Sequence, residues 1–211
     1  MTPPLPTWLL SHSVPGYASA HSLLPSETRL YGTESLYGDW NARILLLAKD
    51  FAASRILHDR IAAGHPRPYS HEPRLRTNLR LQQLADPFRL SPSPTSCGLL
   101  YGSALASLCR DDGRMSGSLP NRAEALAFGA RVLGFALEHL PRLQAVVCMG
   151  EDAWLVTTAA LGLTADWRPA RDTGAITQAR GLNIVAAYHP AARVSCESSE
   201  RAWRSVQSAI A

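Results

Sequence analysis

Residues 42–53 read ARILLLAKDFAA. The apolar run Ile44-Leu45-Leu46-Leu47-Ala48 is a strand, and it ends abruptly on a cation and a carboxylate, Lys49 and Asp50. Outward from it, further apolar strands are expected at 98–108, 145–149 and 183–188, with the first strand spanning 43–48. Helical stretches are expected at 53–63, from Asn121 onward, at 152–161 and at 199–210. Strands separated by long helices imply a parallel sheet covered on both faces. Ligands bind such sheets at the C-terminal ends of the strands, where Lys49 and Asp50 lie.

The chain has 211 residues, 46% of them hydrophobic, which is enough for one domain with a sizeable core. Residues 1–41, with Pro3, Pro4, Pro6, Pro15 and Pro25, read as an irregular arm containing a short helix, packed on a body spanning 42–211. Asn121 and Glu124 form a capping-box-like helix start. Leu126, Ala130, Leu133, Leu137 and Leu140 then make one apolar face, and Trp203 and Val206 point inward from the last helix.

The formal charge of +4 favours a polyanionic partner, with nucleic acid first. No apolar run approaches a membrane span and no secretion signal opens the chain, so a cytoplasmic location without membrane contact is expected. Cys97, Cys109, Cys148 and Cys196 form no CxxC pair, so no metal, metal cluster or other cofactor is expected. Cys148, inside a strand, reads as a small buried hydrophobe.

Among 21 basic residues Lys49 is the only lysine. Lysine is a compact point charge whose pKa moves on burial, which arginine cannot match. Composition bias alone also leaves one lysine somewhere. Three strand ends carry reactive groups: Lys49-Asp50, Ser103 and His189-Pro190. In a parallel sheet these share one edge, and a carboxylate and an imidazole on neighbouring strand ends can face each other across a cleft. Taken singly, a strand-end Asp also serves as a helix cap and a lone His as a structural residue.

These segments resemble the uracil-DNA glycosylase superfamily. ARILLLAKDFAA is similar to its first motif, best known as GQDPYH, and CGLLYGSALAS at 97–107 to GVLLLNAVLT. AVVCMGEDA at 145–153 resembles the third strand, and AAYHPAARVS at 186–195 resembles the HPSPLS or HPAA motif. The likeness covers roughly 42–210 and leaves the arm outside.

The resemblance implies a three-layer α/β/α sandwich with a central four-stranded parallel sheet, acting on a base flipped out of DNA. Asp50 would orient the attacking water and stabilise the oxocarbenium-like sugar, and His189 would hydrogen-bond the departing base. Tyr69, on the long basic loop 64–76, would stack on that base. Residues 191–195 would enter the DNA, with Arg193 as wedge or phosphate contact and Ser195 bonding phosphate. Arg67, Arg74 and Arg76 would hold the backbone. An ordinary loop aromatic and solvated arginines would read the same way.

The departures cluster in the base pocket. Lys49, Phe51 and Ala52 replace Gln, Pro and the Tyr that excludes C5 substituents, and Ser103 stands where an Asn reads the uracil edge. A wider, differently polar pocket follows, and loss of the amide removes steep edge discrimination. The expectation is a monofunctional DNA glycosylase for a 5-substituted pyrimidine, such as hydroxymethylated or glucosylated cytosine in phage DNA. Alternatives are a uracil-DNA glycosylase of base-excision repair and a non-catalytic nucleic-acid-binding member. Lys49 also admits a variant in which its amine attacks the sugar to form a Schiff base. An unrelated nucleotide-binding domain would need a Gly-rich phosphate loop after the first strand, which the chain lacks.

Overall fold

A computed structural model of the chain describes residues 4–23, 40–49, 53–65, 76–85, 98–105, 108–112, 117–190, 192 and 194–210. The elements begin with α1 (Thr7–Ser11), β1 (Tyr17–Ser19), α2 (Ala20–Leu23), β2 (Ile44–Ala48), α3 (Ser54–Ala62) and α4 (Arg76–Ala85). Next come β3 (Leu99–Ser103), β4 (Leu108–Arg110), α5 (Arg122–Glu138), β5 (Ala145–Met149) and α6 (Glu151–Leu161). The chain closes with α7 (Trp167–Thr173), β6 (Ile176–Ala179), β7 (Leu182–Ala187) and α8 (Cys196–Ile210).

The main sheet has the order β3-β2-β5-β7-β6. The first four strands run parallel and β6 pairs antiparallel with β7. The sheet thus has five strands rather than the expected four. The extra strand was missed because residues 176–179 (ITQA) carry little apolar patterning, being only partly buried at the sheet edge. A tight hairpin through Arg180 and Gly181, both at positive φ, adds it to β7.

Every residue of β2 and β5 is buried. Alternation along β2 divides the core in two. Leu45 and Leu47 face a cluster with Leu9, Phe128, Val132, Trp154 and Trp167, whereas Ile44, Leu46 and Ala48 face Leu81, Trp203 and Val206. Helices therefore cover both faces, with α1, α5, α6 and α7 on one and α4 and α8 on the other. Trp203 and Val206 point inward as expected.

Three other expectations are corrected. The strand at 98–108 ends at Ser103, turns through Ala104 and Leu105, and residues 108–110 join a separate two-stranded ribbon with β1. The buried stripe of α5 is Ala125, Phe128, Gly129, Val132, Leu133 and Ala136, rotated from the expected face that included the only partly buried Leu126, Ala130 and Leu137. Small residues form much of that stripe because the helix lies close to its neighbours, and hydrophobicity alone does not reveal closeness. Asn121 precedes α5 in a left-handed conformation and makes no side-chain cap; its Nδ2 donates to the Pro15 carbonyl at 2.7 Å and so ties the arm to the body.

Gly129 explains the approach of α5 to the sheet. A β-carbon there would collide with the Ala104 carbonyl oxygen and crowd Val156 of α6. Hydrogen at that position lets α5 rest directly on the turn that follows Ser103. Gly129→Ala is expected to destabilise the protein by about 1–3 kcal/mol, the usual cost of overpacking. Urea denaturation against wild type measures it, and an unchanged midpoint would show that the turn can yield.

Candidate active site

Parallel pairing sets Ala48 of β2 opposite Ser103 of β3, and Met149 of β5 opposite Ala187 of β7. The chain therefore delivers Lys49, Ser103 and His189 to the same edge of the sheet. The strand that leads into Lys49 and Asp50 and the strand that leads into His189 are not neighbours as expected, because β5 lies between β2 and β7. Even so, the Lys49 charge contributes to lowering the His189 pKa.

Backbone bonds lock this edge. Ala104 N–H donates to the Ala48 carbonyl at 2.6 Å and Leu105 N–H to the Lys49 carbonyl at 3.2 Å, extending the β2–β3 ladder past its last residues. Gly150, at φ 115°, donates its N–H to the Ala187 carbonyl at 3.0 Å, fastening the end of β5 to the end of β7. Beyond β7 the chain reverses, with Ala192 N–H donating to the His189 carbonyl at 2.8 Å. The backbone carrying each of the three side chains is thus fixed before any ligand arrives.

The Lys49 ammonium donates to the Gly117 carbonyl at 3.2 Å. Ser103 is buried at the bottom of the edge. His189 is partly buried, and its pKa lies below the ordinary value, first because burial disfavours the imidazolium and second because Lys49 repels it. A neutral imidazole donates one N–H to a group gaining negative charge, while the ammonium supplies a fixed positive field beside it. Together they favour departure of an anionic leaving group without first protonating it.

Tyr188, next to His189, lies under the Arg171 guanidinium of α7, 5.2 Å from ring centroid to Cζ. The sequence offered no sign of this contact, since nothing in residues 167–173 (WRPARDT) says which strand the helix lies against. Ser195 Oγ accepts the Ser198 N–H at 3.2 Å and donates to Ser198 Oγ at 2.9 Å, so this hydroxyl caps the start of α8. Val194, directly before it, is an exposed apolar side chain. Arg76 is the first residue of α4. Asp50, Phe51, Ala52, Arg67, Tyr69, Arg74 and Arg193 lie outside the described residues.

Among the described residues, no group of three or more His, Cys, Asp or Glu side chains is placed to hold a metal ion, and no helix is long and apolar enough to cross a membrane. Cys148 is fully buried in β5, where burial pushes its thiol up to about 12 although it donates to Thr157 Oγ1 at 3.2 Å. Such a thiol is inert packing. No protein-family model matches the chain, and no curated protein matches it.

The sign of the His189 shift yields a stability test. A folded-state pKa held below about 6.5 means that the unfolded chain binds the proton first, so the contribution is complete above that pH and is lost as pH falls through the folded value. Lys49→Met should move the His189 pKa upward, though not to the exposed value because burial, the larger cause, remains. Imidazole resonances followed by NMR from pH 4 to 8 measure this, and the same variant should lose less stability than wild type on acidification.

Proposed function

We propose that the chain is a DNA glycosylase that hydrolyses the N-glycosidic bond of a flipped-out modified base. The favoured substrate is a 5-substituted pyrimidine such as hydroxymethylated or glucosylated cytosine in phage DNA. The observation that carries this reading is the placement of His189 and Lys49 at the same C-terminal edge of a parallel sheet, where burial first and the Lys49 charge second hold the imidazole toward its neutral form. A nucleobase leaves as an anion, and a hydrogen-bond donor beside a fixed cation stabilises that charge as it develops.

In this reading Asp50, the residue after Lys49 in the chain, orients water toward the anomeric carbon. The bond from that carbon to the base nitrogen breaks, its electron pair leaving with the base, and the water oxygen then bonds to the carbon as its proton passes to the Asp50 carboxylate. The carboxylate stabilises the cationic sugar between these events. His189 donates its hydrogen bond to the departing base. Ser103, buried and carrying only a hydroxyl, offers a weaker edge reader than a side-chain amide, which supports a substrate other than plain uracil. In the same reading Ala52, which stands where the resembled family has an aromatic wall, would leave room for a C5 substituent. The formal charge of +4 and the exposed Val194 after the HPAA tetrapeptide support a DNA-facing loop there.

Duplex and single-stranded oligonucleotides containing uracil, hypoxanthine, 5-hydroxymethyluracil or glucosylated hydroxymethylcytosine test the reading, with alkali-labile strand breaks reporting abasic sites. The expected outcome is release of a 5-substituted base well ahead of uracil. Asp50→Asn should abolish release while DNA binding persists, and His189→Ala should slow it by roughly 10²–10³-fold, as for loss of one preorganised donor. Release of uracil alone would overturn the modified-base assignment, and binding without any release would leave a non-catalytic reader of DNA. Borohydride should trap no adduct; an adduct lost in Lys49→Ala would instead make the lysine a nucleophile.

A further inference from the structure

Arg110 is a residue to which neither the motifs nor the proposed chemistry gives a role, yet it is only 1% exposed. A buried guanidinium persists only when its donors are paired, so its partners indicate what it holds. Its Nη2 lies 2.7 Å from Asp112 Oδ2 and its Nε 3.3 Å from Asp112 Oδ1, and the same Nη2 donates to the Ser118 carbonyl at 3.1 Å. One side chain thereby joins Asp112 to the described segment 117–121.

That segment reaches the candidate site directly. Gly117, adjacent to Ser118, supplies the carbonyl that receives the Lys49 ammonium. On the other side, the Arg110 backbone forms a parallel bridge with Ala53, and Asp111 Oδ1 accepts the Ser54 hydroxyl at 2.8 Å. Lys49 and Ala53 stand on either side of residues 50–52 in the chain. Both are therefore tied to Arg110 or to the neighbour of a residue it bonds. Arg110 and Asp111 are anchored in turn to the N-terminal arm by the pairing of Arg110 with Tyr17 and by Asp111 N–H donating to the Gly16 carbonyl at 3.0 Å.

We propose that Arg110 is a positioning residue: its bridge between Asp112 and the Ser118 carbonyl fixes Gly117, and through Gly117 it sets where the Lys49 ammonium stands relative to His189. A lysine could not replace it, because a point charge does not span two acceptors with the planar fork of arginine. The consequence for catalysis rests on the glycosylase reading above; the positioning of Lys49 does not.

The test uses the fact that Lys49 is the only lysine. Reductive methylation with formaldehyde and cyanoborohydride, followed by peptide mass analysis, reports its accessibility, with the terminal amine as internal control. Arg110→Gln and Asp112→Ala are compared with wild type; Asp112, whose side chain is 32% exposed, gives the milder variant and decides the matter if Arg110→Gln does not fold. Both should methylate Lys49 several-fold faster, and the His189 pKa should rise as the ammonium leaves its fixed place. Folded variants that melt at lower temperature but keep the wild-type labelling rate and His189 titration would overturn the proposal, leaving Arg110 a purely structural residue. Neither measurement needs base release, so failure of the enzymatic reading and failure of the positioning role are told apart.

Discussion

Parallel hydrogen bonding among strands that are buried on both faces is the constraint from which the rest of the molecule follows. β2 and β5 have no exposed residue, so their polar backbone groups depend on the sheet ladder and their side chains on cover from both sides. Parallel neighbours cannot be joined by a tight hairpin, which forces long crossings and supplies that cover as helices. Every crossing returns the chain to the same starting edge. The opposite edge then collects the strand ends, and with them Lys49, Ser103 and His189.

The three ionisable groups Arg110, His189 and Lys49 are accommodated in different ways. Arg110, which stays cationic, is surrounded by acceptors. His189, which can lose its proton, shifts toward the neutral form. Lys49 keeps a carbonyl partner and projects its field onto the imidazole. Close packing supports these arrangements from behind: Gly129 allows α5 to touch the turn after Ser103, and an Arg122–Asp152 ion pair of 2.7 Å joins the starts of α5 and α6.

Much of the fold was legible because burial and periodicity are written locally. The strand at 145–149 was placed to the residue, the strand at 44–48 to within one, and the inward Trp203 and Val206 followed from helical spacing. Elements with weak local patterns escaped: α7 is short and carries few apolar residues, and β6 is an edge strand whose faces are only partly buried. The face of α5 was misjudged for a related reason, since its contact stripe uses Ala125, Gly129 and Ala136, residues selected for being small. For the site, the strand-end positions of Lys49 and His189 were readable as soon as the sheet was taken to be parallel, whereas Ser103 lay inside the expected strand 98–108 and only the structure puts it at a strand end.

By itself the order of apolar runs and helix signals determined that a parallel sheet exists and which ends of its strands carry polar side chains. That information is short-range, because hydrophobic patterning is a property of neighbouring residues. Only the tertiary structure decided that β5 stands between β2 and β7, that Lys49 leans on Gly117 and its charge reaches His189, and that a buried Arg110 governs the intervening segment. The links of Lys49 to Gly117 and to His189 join residues 68 and 140 positions apart in the chain. Their physical cause is the pairing of charges and hydrogen-bonding groups removed from water, which no local pattern records.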